Sequence, residues 1–235
     1  MTAFRVAAVV VAGGSGTRFG ADRNKVYLPL AGRTVVAWPL RAMSALRGLT
    51  RLMLVVRPQD RPLAADTIAT DCKGIEVELV DGGDTRHGSE LNAFRLLAPQ
   101  IRAGEIDVVV VQDGARPVLS DAVLARVLEA AATHGGAVPC VPAGLLVELA
   151  DGRVRRRLDD AHVRVQTPQA FVAAELLAAY EAADRDGFTG TDTASCVQRY
   201  TALQVRAVAG DPADVKVTRP GDLLVAEQIL RARAG

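Results

Sequence analysis

Four short segments hold the residues whose types and spacing could do chemistry. The first is AGGSGTR, residues 12 to 18, with Lys25 seven positions beyond Arg18. Its glycines let backbone N–H groups converge on an anion without side-chain obstruction. Arg18 can fork onto phosphate oxygens, and Lys25 can supply a point charge. The loop fits neither standard phosphate signature. Counting from Gly14 and Gly16, the third glycine of G-x-G-x-x-G falls on Phe19. The Walker pattern fails as well, because Lys25 lacks the glycine before it and the Ser or Thr after it. A plain strand-to-helix turn is the alternative, and two cations inside the loop favour phosphate binding over it.

The other three segments are VDGGDTRHGS (80 to 89), VQDGARP (111 to 117) and DVKVTRP (214 to 220). Gly82 and Gly83 with Arg86 and Ser89 suit close backbone contact with a flat base. Asp113 and Arg116 stand at the mouth of an apolar run, where an acid commonly faces a metal or a ribose. Lys216 and Arg219 precede the last helical stretch. Taken singly, each of these charges reads as solvated surface, and His87 in particular is expected at the surface rather than in the chemistry.

These segments need elements to position them. Short β-branched runs alternate with stretches of helical periodicity, which predicts an α/β fold with a mainly parallel sheet covered on both faces. The expected strands are FRVAAVVVA, RLMLVV, IEVELV, DVVVVQ, GAVPCVP and LQVRAV. The expected helices are TVVAWPLRAMSAL, residues 61 to 70, SELNAFRLLAPQI, DAVLARVLEAAATH, AAELLAAYEAA and GDLLVAEQILRARAG. In such a sheet the site lies beyond the carboxyl ends of the strands, and that is where all four polar segments fall.

The region PAGLLVELADGRVRRRLDDAHVRVQ, residues 142 to 166, breaks the rhythm. Alternating apolar residues around Asp151-Gly152 predict a β-hairpin. It is either a surface decoration or an arm that packs on a second subunit. Its Arg155 to Arg157 run is by default a solvated edge that discourages aggregation.

The 235 residues suit one domain spanning 1 to 235, with the hairpin inserted in it. A net charge of +1 gives no general pull toward nucleic acid or an anionic membrane, so any polyanion must be held locally. No apolar run approaches the roughly 18 residues of a membrane span. Arg5 and the VAAVVVA run lead into the glycine loop without a cleavage site, unlike a signal peptide. Cys72, Cys140 and Cys196 lack any metal spacing and suit buried thiols in a reducing cytoplasm.

Taken in order, the segments resemble the 2-C-methyl-D-erythritol 4-phosphate cytidylyltransferase family of the isoprenoid pathway that does not use mevalonate. The similarity runs nearly end to end. It covers AGGSGTR with Lys25, DGG-x-x-R, the D-x-A-R-P of Asp113 to Pro117, QTPQAF (166 to 171), TDTAS (191 to 195) and VKVTRP-x-DL (215 to 223). The resemblance implies a Rossmann-like nucleotidyltransferase fold with a protruding β-arm, a homodimer joined through that arm, and Mg2+ dependence. It implies that an acceptor phosphate attacks the α-phosphorus of CTP and releases pyrophosphate. Arg18, Lys25 and Lys216 would then be catalytic. Ala12, Gly13, Gly14, Ser15, Gly16, Gly82, Gly83, Arg86, Ser89 and Asp113 would hold the nucleotide, with Asp113 also near the metal. Gly114, Arg116, Leu145, Arg156, Arg157, Asp159 and Thr167 would fall in the acceptor half.

The acceptor half departs from the family pattern. Gly144 and Leu145 stand where the family carries Asp and Thr, and Asp159 stands where it carries an arginine. Gln112 replaces a histidine, Gly114 an alanine and Val26 a glutamine. A carboxylate facing an acceptor phosphate would repel it. Either Arg156 or Arg157 supplies the missing charge, or the acceptor is another polyol phosphate such as ribitol 5-phosphate, or a hydroxyalkyl phosphonate. A non-catalytic nucleotide-binding relative is the reading from another class. Retention of Arg18, Lys25, Asp113 and Lys216 argues against it.

Overall fold

The computed structural model describes residues 4–14, 24–158 and 161–234. Its central sheet is made from β1 (Val6–Val11), β4 (Leu49–Val56), β5 (Glu78–Asp81), β6 (Val108–Asp113), β7 (Gly136–Pro142), β10 (Val163–Val165), β11 (Gln169–Val172) and β12 (Arg206–Ala209). Between β1 and β4 lies a two-stranded ribbon, β2 (Pro29–Leu30) with β3 (Arg33–Thr34); a second ribbon joins β8 (Val147–Ala150) to β9 (Arg153–Arg157). The sheet order is β10-β7-β11-β6-β1-β4-β5, with β12 also paired to β7. Strands β5, β4, β1 and β6 run parallel, whereas β11 is antiparallel to both β6 and β7, and β10 is antiparallel to β7.

The side-chain period of two decides how this sheet is covered. In β1, Ala7 and Val9 face a core shared with α3 (Arg86–Arg102), α5 (Ala173–Arg185) and α6 (Thr193–Tyr200). Val6, Ala8 and Val10 face the other core, with α1 (Ala37–Ser44), α2 (Arg61–Asp71) and α4 (Asp121–His134). Strands buried on both faces must be continuously apolar, which is why VAAVVV and VVVV read as unbroken runs. The last helix, α7 (Pro220–Ala234), packs over a small third cluster with Leu30, Val35, Val118 and Val217. No helix among the described residues is long and apolar enough to cross a membrane.

The sequence expectation differs from the structure at definite places. Strand β11 starts inside QTPQAF and ends at Val172, with no β-branched run to announce it. Helix α6 starts from a capping box in which Asp192 accepts from Ser195 N at 2.9 Å and Ser195 Oγ is bonded to the Asp192 backbone. Helix α3 begins at Arg86, three residues ahead of SELNAF, because Thr85 Oγ1 accepts from Gly88 N at 2.9 Å. That extra turn corrects the placement of His87. It lies on the inner face of α3, buried, stacked on Tyr180 with ring centroids 4.4 Å apart. Burial lowers its basicity.

The region read as one hairpin divides in two. Asp151 (φ 50°) and Gly152 (φ 75°) form the expected tight turn between β8 and β9, with both residues left-handed as such a turn demands. A register shift between Glu148 and Leu149 leaves Arg155 unpaired in the ladder. Beyond the turn the chain rejoins the central sheet as β10. Leu149, Val154, Val163 and Val165 are exposed.

Candidate active site

Four parallel strands end on one side, and each contributes to a cleft of about 620 Å³. The end of β1 supplies Ala12, Gly13 and Gly14; β4 leads to Arg57 and Pro58; β5 leads to Gly82, Gly83 and the start of α3; β6 ends in Asp113. Lys25 enters from the turn after the glycine loop, and Lys216 from the connection between β12 and α7. Of the expected nucleotide residues, Ser15 and Gly16 lie outside the described residues, as do the catalytic candidate Arg18 and the acceptor candidate Asp159. The remaining nucleotide candidates line this cleft.

Asp113 is the electrostatic centre. Lys216 Nζ lies 2.8 Å from its Oδ2, Arg86 Nη1 bonds its Oδ1, and Arg116 Nε stands 3.5 Å from Oδ2. Thr167 Oγ1 accepts a hydrogen bond from the Asp113 backbone N–H at 3.1 Å. Burial alone would raise the Asp113 carboxyl, but Arg86 and Lys216 outweigh it and hold it well below the usual carboxylate range. The carboxylate is therefore ionised at neutral pH. Arg116 is committed to structure: its Nη1 donates to Asp214 O at 2.8 Å, and Val217 N donates to Ala115 O at 2.8 Å. These two bonds fix the segment that carries Lys216 against the end of β6.

The glycines of DGGDTRHGS answer to close packing. A Cβ on Gly82 would sit 2.9 Å from Ser89 Oγ and 3.2 Å from Val56 O, and one on Gly83 would sit 3.0 Å from Gly88 backbone. The Ser89 hydroxyl accepts from Gly83 N at 3.1 Å and donates to Thr85 O at 2.8 Å. Gly114, where the family pattern has alanine, donates to Val11 O, and an added Cβ would lie 3.1 Å from that same oxygen.

None of the described acceptor candidates lines this cleft, although Arg116 and Thr167 touch Asp113 from behind it. Leu145 is exposed, following Gly144 at φ +76°. Arg156 Nε is held by Glu148 Oε2 at 2.5 Å, and Arg155 shares the same carboxylate at 3.1 Å. Arg157 makes no ion pair among the described residues. Gln112 is buried and donates to Arg116 O.

Sequence reasoning missed three contributors. Asn24 Nδ2 donates to Ala12 O at 3.2 Å and to Asp60 Oδ2 at 2.9 Å, so one buried amide joins the two flanks of the glycine loop. Arg57 grips Asp60 through Nε (2.7 Å) and Nη2 (2.8 Å) and lines the cleft. Glu90, one turn into α3, is buried against Arg86. A polar residue directly before Lys25 was the available signal for Asn24. Glu90 carried none, since it reads as an ordinary helix residue.

Comparison with known proteins gives this geometry its context. The sequence model of the 2-C-methyl-D-erythritol 4-phosphate cytidylyltransferase family matches residues 6–232. A protein of that name from Cereibacter sphaeroides is 41% identical over 231 residues, covering 97% of this chain and 98% of that protein. The crystal structure of 2-C-methyl-D-erythritol 4-phosphate cytidylyltransferase from Thermus thermophilus is 32% identical. It superposes with a TM-score of 0.74 over 95% of this chain and 98% of that one. The 4-diphosphocytidyl-2C-methyl-D-erythritol synthase of Anaerococcus prevotii, at 22% identity, shares the fold with a TM-score of 0.81 over 97% of this chain and 96% of that one. Motifs, strand ends and similarity along nearly the whole length agree. The chain belongs to the 2-C-methyl-D-erythritol 4-phosphate cytidylyltransferase family and is a CTP-dependent nucleotidyltransferase.

Proposed function

We propose that this chain transfers CMP from CTP to 2-C-methyl-D-erythritol 4-phosphate with release of pyrophosphate. The observation that carries the reading is the convergence of Lys25, Lys216 and Asp113 with two glycine-bearing strand ends on one cleft. The acceptor follows from the relatives, which bear that substrate in their names at up to 41% identity.

An acceptor phosphate oxygen attacks the α-phosphorus, and the bond to the bridging oxygen breaks, leaving pyrophosphate with the electron pair. The nucleophile is already ionised, so the residues need to position and neutralise charge rather than abstract a proton. Lys25 and Arg18 hold the leaving phosphates, and Lys216 approaches the α-phosphate from the opposite side. Gly82, Gly83 and Ser89 face cytosine. Asp113 would face the ribose and lie near Mg2+ when the ion is bound. With Oδ1 on Arg86 and Oδ2 on Lys216, Asp113 offers the ion no uncommitted oxygen, so Mg2+ would be held chiefly by the triphosphate and water, with Asp113 nearby. Bound there, Mg2+ supplies charge neutralisation of the triphosphate.

The acceptor phosphate is met by Arg157, since Arg156 is occupied by Glu148. Residues 142 to 166 form the arm of a single unit spanning 1 to 235, and the exposed Leu149, Val154, Val163 and Val165 support its packing on a second copy. The three free thiols fit a reducing cytoplasm.

Pyrophosphate release from CTP, measured with methylerythritol phosphate, ribitol 5-phosphate and a hydroxyalkyl phosphonate, tests the reading. Turnover with the first and far less with the others is expected. Preference for another acceptor refutes the substrate assignment, and silence across all three with CTP bound refutes catalysis of this transfer.

A further inference from the structure

One buried carboxylate stands behind the cleft, paired with Arg86. Glu90 is 1% exposed, on the face of α3 that packs into the core shared with α5 and α6. Burial pushes its carboxyl up, and Arg86, Tyr180 and Thr193 offset only part of that rise. Desolvating a carboxylate costs several kcal/mol, and a well-packed apolar side chain would often serve stability as well. Both of its oxygens are nevertheless engaged. Tyr180 Oη donates to Oε2 and Thr193 Oγ1 donates to Oε1 at 3.1 Å, while Arg86 Nε is ion-paired with Oε1 at 2.9 Å without hydrogen-bond alignment.

The two ends of Arg86 are thereby divided. Nε is ion-paired with Glu90 while Nη1 bonds Asp113 Oδ1, and Asp113 Oδ2 goes to Lys216 at 2.8 Å, with Arg116 Nε farther off at 3.5 Å. The charges alternate from core to cleft: Glu90, Arg86, Asp113, Lys216. Asp113 shares its one charge among Arg86, Lys216 and Arg116, so Glu90 helps to balance Arg86. Beyond that charge, Glu90 adds direction. A guanidinium released from Glu90 is free to fork onto both oxygens of Asp113, the geometry arginine and carboxylate favour, and would then compete with Lys216 for Oδ2.

We infer that Glu90 is a positioning residue of the CTP site, which holds Arg86 to a single oxygen of Asp113 and so reserves the other oxygen for Lys216. The inference rests on the reading of the cleft as the CTP site. Tyr180 and Thr193 complete the cage that keeps Glu90 in place.

The test uses the full chain with Glu90→Gln, Arg86→Lys, the double variant, and Tyr180→Phe. CTP affinity is read by calorimetry, and kcat and both KM values by pyrophosphate release, with melting temperature alongside. Glu90→Gln is expected to weaken CTP binding or lower kcat by about tenfold or more, leaving the acceptor KM within about twofold. Arg86→Lys removes the fork, so Glu90→Gln should add almost nothing to it. Tyr180→Phe should produce a smaller change of the same kind, and it serves as the test if Glu90→Gln does not fold. Fully additive effects, or a lowered melting temperature with CTP affinity, kcat and both KM values intact, would overturn the inference. The calorimetric arm keeps this outcome separate from the acceptor assignment, because CTP binding is read whether or not an acceptor turns over.

Discussion

Replacing Lys216 with alanine tests the electrostatic account of the cleft. Its ammonium lies 2.8 Å from Asp113 Oδ2 on a side chain 40% exposed, so it acts in a partly solvated setting. Two unit charges about 4 Å apart at an effective dielectric near 20 interact by about 4 kcal/mol. In the transition state only part of a charge is redistributed between the α-phosphoryl oxygens and the departing pyrophosphate, so about 2 to 4 kcal/mol is at stake, roughly 30- to 1,000-fold in kcat. Asp113 keeps Arg86 and Arg116 in the variant, so its carboxylate stays ionised and the cleft stays intact. The assay is pyrophosphate release with both substrates saturating, together with calorimetric titration of CTP and a thermal melt. The loss should fall mainly on kcat, with a smaller rise in the CTP dissociation constant. A kcat within threefold of the parent would remove Lys216 from the transition state. A loss confined to the CTP KM would assign it to uniform binding instead.

Burial pushes the Asp214 carboxyl from its ordinary 3.8 up to about 7, with Arg116 opposing and Asp113 and Asp211 adding to the rise. Between about pH 4 and 7 the folded chain keeps a proton the unfolded chain has released. This group's contribution to stability is thus complete at low pH and is lost as pH rises through 7, up to about 4 kcal/mol in all. Asp214→Asn should flatten that part of the stability profile, measured by denaturant melts in EDTA from pH 4.5 to 8.5; an unchanged slope counts against the assignment. Asn24→Ala removes the amide that joins Ala12 to Asp60 and should raise the CTP dissociation constant severalfold while the acceptor KM holds; equal loss on both substrates would show a general effect. Gly82→Ala forces a Cβ within 2.9 Å of Ser89 Oγ and should cost about 1 to 3 kcal/mol in urea unfolding; a change under about 0.5 kcal/mol would mean that α3 yields freely. Arg157→Ala should raise the acceptor KM and leave CTP affinity intact, and a parallel loss of both would end its assignment to the acceptor phosphate.

What the sequence made legible follows from which interactions are local. Strands β1 and β6 were plain because burial on both faces leaves no polar position in VAAVVV or VVVVQD until the strand reaches the site. Helix α4 matched residue for residue, since Ser120 caps it and Gly135 at φ 93° ends it. Strand β11 was not legible. Its four residues are held by antiparallel pairing to β6 and β7, which are far apart in the chain, and by Gln169 bonding to Asp192 and Ala194. The same distinction divides the site. Lys25, Asp113 and Lys216 each lie in a segment with its own signature, whereas Glu90 and Asp60 acquire a role only through partners brought in by the fold. His87 shows the cost of reading a residue by type alone: a titratable ring next to a glycine-rich loop suggested solvent, yet one earlier turn of α3 places it against Tyr180. A short-range pattern can locate the charges that meet the substrate. The buried charges that aim them become visible only when the sheet and its helices bring distant segments together.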